Sequence, residues 1–510
     1  MRSLLALTLV LATLVAASSA GAGGPPMRYG IADDWPEWHP CGDAWWTAAK
    51  DIGYQDVRLT VQWDDSQPGV IPAELNIQAA VDCATLAGMR PILAVYPLNP
   101  WAIGSSVSEQ KQFAAFVALV GMAFPEVTNF IVGNEPNVNR FWQPQYVNGK
   151  DAAARDYEHT LAASYDALKA VRPDALVWGP AISSRGNDDP EAQSNPSHSP
   201  VWFIKYMGDA YRASGRTRPI FDEFDLHPYP PVQDTAPFTQ AFLWPQAGAA
   251  DLSRLKQALW DAFHGTAQPV PGEHGIGRAD GVVLPIDLDE VGEQTTVVGH
   301  AAAYTDGPEN VAPIQEAAQA ARYTQLAQIG ACDPDVKTIL WFPLIDQPEL
   351  SSGFQSGQLY ADLTPKYSYG AMKQQIASAQ GTCLTGVPRR WVHTKSVVGA
   401  TAAFAGPGTA AGSQPRNKPT GIKKVLFSVT ATEDVKYTAS LIPVVPGART
   451  AAGVKALAIV SGAVHAYRKP AIALPARIPD GRYRIRVVIA AAVNPARTTT
   501  ITSNVFKVGT

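Results

Sequence analysis

The chain has 510 residues, 46% hydrophobic and 17% charged; this is globular composition and excludes a wholly disordered chain. Its 41 basic and 45 acidic residues give a formal net charge of −4 with no basic block, which argues against nucleic acid as a partner. At about 100–200 residues per domain the length predicts two to four domains, or fewer if a barrel uses ~250 as one.

The first segment reads as an export signal. Met1-Arg2 supplies positive charge, Leu4–Val15 is an apolar run, and Ser18–Ala22 offers small residues for cleavage. We expect a signal peptide over residues 1–22 and an exported, extracellular product, with the periplasm or cell surface as alternatives. No later run approaches the ~18 apolar residues of a membrane span. Export permits disulfides. Cys41, Cys83, Cys332 and Cys383 allow three connectivities, and sequence neighbourhood favours Cys41–Cys83 with Cys332–Cys383.

From 27 to 383, short β-type runs alternate with helical patterns. The strand-like runs are Arg28–Ala32, Asp56–Gln62, Arg90–Tyr96, Asn129–Val132, Leu176–Gly179, Asp222–His227, Val282–Leu288 and Thr338–Pro343. Helical spacing is clearest over Gln112–Met122, Ala152–Val171, Pro313–Ile329 and Tyr367–Ala379. Eight β-then-α units predict an α/β fold, a (β/α)8 TIM barrel. No G-x-G-x-x-G follows the first strand, as an open dinucleotide-binding sheet would require. Residues 384–420 are rich in Gly, Ala, Pro, Ser and Thr and read as a linker or lead-in. Residues 421–510 alternate in β fashion, with turns such as Pro479-Asp480-Gly481, and predict a small all-β sandwich with an accessory role.

Phosphate-loop, nucleophile-elbow and zincin motifs are absent from the sequence. What remains is a pair of carboxylates. Active sites of parallel barrels lie at the C-terminal ends of strands. Strand four ends Gly133-Asn134-Glu135-Pro136-Asn137, and strand seven ends with Glu290. Strands four and seven face each other across the barrel mouth, so Glu135 and Glu290 would face across one cleft. Glycoside hydrolysis needs such a pair: one carboxyl protonates the leaving oxygen, the other attacks or activates water.

Residues 27–380, and above all Gly133–Asn137 with Phe141-Trp142 and Tyr146, resemble clan A of the glycoside hydrolases. The resemblance is nearest the branch of family thirty-nine β-xylosidases and exopolysaccharide hydrolases. It implies a retaining β-glycosidase with Glu135 as general acid/base and Glu290 as nucleophile, acting on a carbohydrate substrate without metal or cofactor. It further implies that Asn134 binds the sugar 2-OH and that Arg58 lies beside the nucleophile. Tyr229 would orient Glu290, His227 would bind substrate, and Trp341 would be a sugar platform followed by a cis peptide to Phe342. Trp35, Trp38, Trp63, Trp101 and Trp142 are further candidates to line subsites.

The acidic group Asp287, Asp289, Glu290 and Glu293 departs from the family pattern. Mutual repulsion there would raise carboxyl pKa values, and it leaves Glu293 as an alternative nucleophile. Long segments after strands five, six and seven (Ser183–Pro200, Pro230–Ala249, Val291–Pro313) would enclose a pocket or rim a groove. Two other readings stay open: an endo-acting glucanase, mannanase or xylanase, and an inactive carbohydrate-binding barrel. The C-terminal domain would bind glycan, dock to the barrel or space it from a cell surface.

Overall fold

The computed structural model describes residues 27–233, 235–272, 284–305, 307–386, 389, 391–405, 426–444, 456–474 and 478–508. The expected signal segment at 1–22 lies outside them. The barrel strands are β1 (Arg28–Ala32), β2 (Asp56–Trp63), β3 (Arg90–Pro97), β4 (Asn129–Val132), β5 (Leu176–Trp178), β6 (Phe224–His227), β7 (Ile286–Val291) and β8 (Val336–Trp341). Each is followed by a helix: α1 (Ala44–Ile52), α2 (Glu74–Ala87), α3 (Val107–Ala123), α4 (Ala153–Val171), α5 (Pro200–Ser214), α6 (Leu252–Phe263), α7 (Glu316–Ala331) and α8 (Tyr367–Ala379).

The strands pair in parallel in the order β5-β4-β3-β2-β1-β8-β7-β6. The sheet closes because Trp178 bridges Glu223, and Ile182–Ser183, just beyond β5, pairs with β6. The fold is therefore a (β/α)8 barrel, as the alternation predicted. Several strand bounds move by one to three residues, and two of the differences fall at prolines. β7 is described from Ile286, after Pro285, which has no N–H to give a ladder; positions 282 and 283 of the expected run lie outside the described residues. β8 ends at Trp341 rather than 343, because Pro343 stops the pairing in the same way.

The pleat sorts side chains into two cores. Val57, Leu59, Leu288, Val291 and Trp341 pack under the helices, whereas Ile92, Ala94, Ile131, Trp178 and Leu340 fill the barrel. Gly30 on β1 lets β2 approach, since a Cβ there would meet the Asp56 carbonyl oxygen at 2.3 Å. At the N-terminal end of the barrel, buried Asp56 accepts from Arg28 Nε at 2.9 Å and from Arg90 Nη2 at 2.7 Å. These charge-assisted bonds compensate the buried carboxylate.

Disulfides join Cys41 to Cys83 and Cys332 to Cys383, the pairing that sequence neighbourhood favoured. Among the described residues no helix is long and apolar enough to cross a membrane.

The C-terminal region is all-β. Strands β9 (Thr401–Ala405), β10 (Leu426–Thr430) and β13 (Ala471–Ala473) form one antiparallel sheet. The other runs β12 (Ala458–Val464), β11 (Val435–Pro443), β14 (Gly481–Ala491), β15 (Thr498–Thr502), with β16 (Phe506–Val508) also on β14. Phe427, Val429, Leu441, Ile485 and Val487 share one core between them. The expected linker at 384–420 needs correction. Its described part contains β9, whose Phe404 packs against the sandwich core, so the alternation in Thr401–Ala405 outweighs the surrounding low-complexity composition.

Candidate active site

Strand parity and one bulge build the site. On β2, Val57, Leu59 and Val61 face the helices, which turns Arg58, Thr60 and Gln62 into the barrel. On β7, Leu288 pairs with Ile339 but Val291 pairs with Trp341, so β7 carries one extra residue. Such a bulge re-aims side chains. With Leu288 and Val291 both facing the helices, Asp289 and Glu290 together reach the interior. Glu135 follows β4 in a left-handed conformation, φ 40°, unusual for a residue with a Cβ and typical of functional positions. Asn137 then ties this turn to the loop after β5, accepting from Ser183 N at 2.8 Å and donating to the His198 carbonyl at 2.9 Å.

The cleft at the C-terminal ends of the strands has a volume of about 460 Å³, with Arg58, Asn134, Glu135, Tyr229 and Glu290 in its lining. Arg58 Nη1 donates to Glu290 Oε2 at 2.8 Å, and Nη2 to Asn134 Oδ1 at 2.6 Å. Tyr229 donates its hydroxyl hydrogen to Glu290 Oε1 at 3.1 Å. His227 Nδ1 lies 2.9 Å from Glu135 Oε1 and 3.9 Å from Glu290 Oε1. Those two carboxylate oxygens are therefore at most about 7 Å apart, which admits the retaining spacing of about 5–5.5 Å and excludes the wide part of the inverting range.

Electrostatics separate the acids. Burial pushes the Glu290 carboxyl up, but the charges of His227 and Arg58 together outweigh it and the net shift is downward. Asp289 behaves alike: burial raises it, and His227 and Arg58 bring it below its ordinary value. Burial opposes the charge on His227, yet Glu290 and Asp289 hold its pKa well above the usual range. Tyr229 is raised by burial and then by Glu290 and Glu135, so it stays a hydroxyl donor.

The rise expected from repulsion within 287–293 fails for the two acids that face the site: Asp289 does push Glu290 up, but the cations there outweigh it. The other two acids are raised, though not by their neighbours in this group. Asp287 is raised by burial and by Glu223 deeper in the barrel. Glu293 is pushed up to about 7 by burial, against the pull of Arg322. Glu293 lies outside the cleft lining and accepts from Arg322 Nη1 at 2.6 Å.

Two expected roles change with parity and depth, as do the expected subsite tryptophans. Trp341 does not line the cleft. It is fully buried among Tyr29, Tyr54 and Tyr323, since Leu340 and Phe342 take the inward positions of its strand. Phe342 is the aromatic that lines the cleft in its place. The cis peptide falls one residue later than expected, at Phe342–Pro343, where proline lowers the cost of the cis form. His227 is fully buried and touches the carboxylates rather than the open cleft, which corrects its assignment to substrate binding. Trp35, Trp38, Trp63, Trp101 and Trp142 are likewise absent from the lining. Among the described residues its aromatics are Tyr96, Phe141, Tyr229, Phe342 and Phe354. Asp34, missed in the sequence, also lines the cleft and accepts from Thr60 N at 2.9 Å. Its sequence signal was its place two residues beyond the end of strand one.

No protein-family model and no curated protein matches the chain. Several solved structures are similar in fold. A family 39 glycoside hydrolase from Bacteroides cellulosilyticus WH2 shares 15% identity over 89% of this chain and 81% of its own, with a TM-score of 0.46. A monomeric β-xylosidase from Caulobacter crescentus CB15 shares 15% over 92% and 97%, with a TM-score of 0.42. A glucosidase from Croceicoccus marinus shares 12% over 88% and 94%, with a TM-score of 0.46.

Proposed function

We propose that this chain is an exported retaining glycoside hydrolase that cleaves β-O-glycosidic bonds in oligo- or polysaccharides. The observation that carries the reading is the facing pair Glu135 and Glu290 in one cleft, with Glu290 held ionised between Arg58, Tyr229 and His227. The two disulfides support an oxidising compartment.

In the first step a Glu290 oxygen attacks the anomeric carbon. The bond from that carbon to the leaving oxygen breaks, and Glu135 gives that oxygen its proton. His227 engages Oε1 of Glu135, leaving Oε2 to carry the transferable proton. In the second step Glu135 takes a proton from water, the water oxygen bonds to the anomeric carbon, and Glu290 leaves as carboxylate. Two inversions give retention. Asn134 is fixed by Arg58 through its Oδ1, so its amide Nδ2 is left to donate to the sugar 2-OH.

The test is turnover of a panel of aryl β-glycosides by wild type and by Glu290→Ala. We expect turnover with at least one sugar, a loss of about a thousandfold or more in the variant, and the β-anomer as the first product seen by proton NMR. Undiminished turnover in the variant, or the α-anomer first, would overturn the reading.

A further inference from the structure

A second and larger concavity, of about 990 Å³, lies where the barrel meets the β-sandwich. Its barrel wall carries Trp202 and Tyr206 from α5 and Trp244 from the loop after β6; its sandwich wall carries Tyr467 from the turn between β12 and β13. Trp202 stacks on Tyr206 at 5.6 Å and 24°, and meets Trp244 edge-on at 5.9 Å and 74°. Trp202 and Tyr206 are only half-buried, and Tyr467 is 46% exposed. Tyr467 has φ 61°. Its N–H donates to Ala431 O at 2.9 Å, and its hydroxyl oxygen accepts from Trp244 N at 3.1 Å. The turn is therefore shaped to present this ring at the seam.

Polar groups of both signs stand around the rings. Asp188 comes from the loop after β5, and Asp434 and Arg468 from the sandwich. The Asp188 carboxyl is raised by burial, and facing Asp434 adds to the shift. Flat rings beside carboxylate acceptors and a guanidinium donor suit a sugar, which offers an apolar C–H face and a rim of hydroxyls. The two clefts also share a wall. Ser183 and Arg185 line the catalytic cleft, and Asp188 and Pro190 of the same loop line the second one.

We propose that the interdomain cleft is a second glycan-binding site, holding a distal stretch of the polysaccharide whose scissile bond lies between Glu135 and Glu290. The substrate-sharing part rests on the proposed function; the binding itself does not require catalysis.

The test uses the full chain as Glu290→Gln, run on native gels cast with soluble neutral polysaccharides: mixed-linkage β-glucan, arabinoxylan, galactomannan and β-1,4-galactan. At least one should retard it. Trp202→Ala, and independently Tyr206→Ala, should weaken that retardation at least about fivefold, with unchanged near-ultraviolet circular dichroism. Trp101→Ala removes an exposed ring outside both clefts and should leave retardation unchanged. Retardation by none of the four, or retardation equal in the platform variants, overturns the proposal. Platform-dependent binding in a chain that turns over no aryl glycoside would keep the site and sink the hydrolase reading; turnover without such binding would do the reverse.

Discussion

Arg58 joins two groups of the site through one guanidinium, gripping Glu290 with Nη1 and Asn134 with Nη2. Its charge is also among those that lower the Glu290 carboxyl. Arg58→Gln should therefore reduce kcat/KM by about ten- to a hundredfold. Glu290 acts ionised, so losing the cation raises its pKa and moves the acid limb of the kcat/KM profile to higher pH. A lower rate with an unmoved acid limb would reduce Arg58 to a packing role. Glu37 shows the opposite case. It is buried, and burial, then Asp34, push its carboxyl up to about 8. A folded pKa above the unfolded one stabilises fully below the unfolded value and loses that contribution as pH rises through about 8. Glu37→Gln should flatten the decline of Tm between about pH 5 and 8, raising Tm at about pH 8.5 by about 2 °C. An equal decline in both proteins would refute it.

At the scale of elements, the eight-unit alternation made the barrel legible, and the strand ends made Glu135 and Glu290 legible with it; Arg58, Asn134 and Tyr229 came from the family resemblance. Parity was the weak point. The run Ile339-Leu340-Trp341-Phe342 is apolar at every position, so its pattern does not say which faces inward; the partners Tyr54 and Tyr323 that claim Trp341 lie elsewhere in the sequence. The bulge in β7 was invisible for a similar reason, since it appears only as a shift of pairing against β8. In the lead-in, composition masked the alternation of β9. Parity on β8 makes a paired prediction. Trp341→Ala, in the packed layer, should cost about 3–5 kcal/mol of stability. Phe342→Ala, half-buried in the cleft wall, should raise KM for an aryl glycoside several-fold with a smaller loss of stability. Denaturant unfolding and steady-state kinetics on both variants test the assignment, and a reversed pattern would place Phe342 in the packed layer.

Across the whole molecule, the sandwich is docked through buried charge. Arg497, in the β14–β15 turn, donates through Nε to Asp261 of α6 at 2.8 Å and through Nη1 to Glu433 of the sandwich at 2.9 Å. Asn494 Nδ2 adds a bond to Asp261 at 2.8 Å. Near this seam, Trp260 of α6 stacks with His264 at 4.1 Å and with His393 of the lead-in at 4.3 Å. Because Arg497 and both acids are buried, removing the cation leaves two carboxylates near each other with little access to water. Breaking a buried pair from one side costs about 3–5 kcal/mol. Arg497→Met keeps the bulk and deletes the charge, so its cost falls on the docking rather than on either core. Calorimetry should then resolve a sandwich transition at lower temperature, ahead of an unaltered barrel transition; an unchanged profile would mean that packing alone holds the seam. Tyr467 meets Trp244 only across this seam, so the same variant should also lose glycan retardation while it still turns over small aryl glycosides.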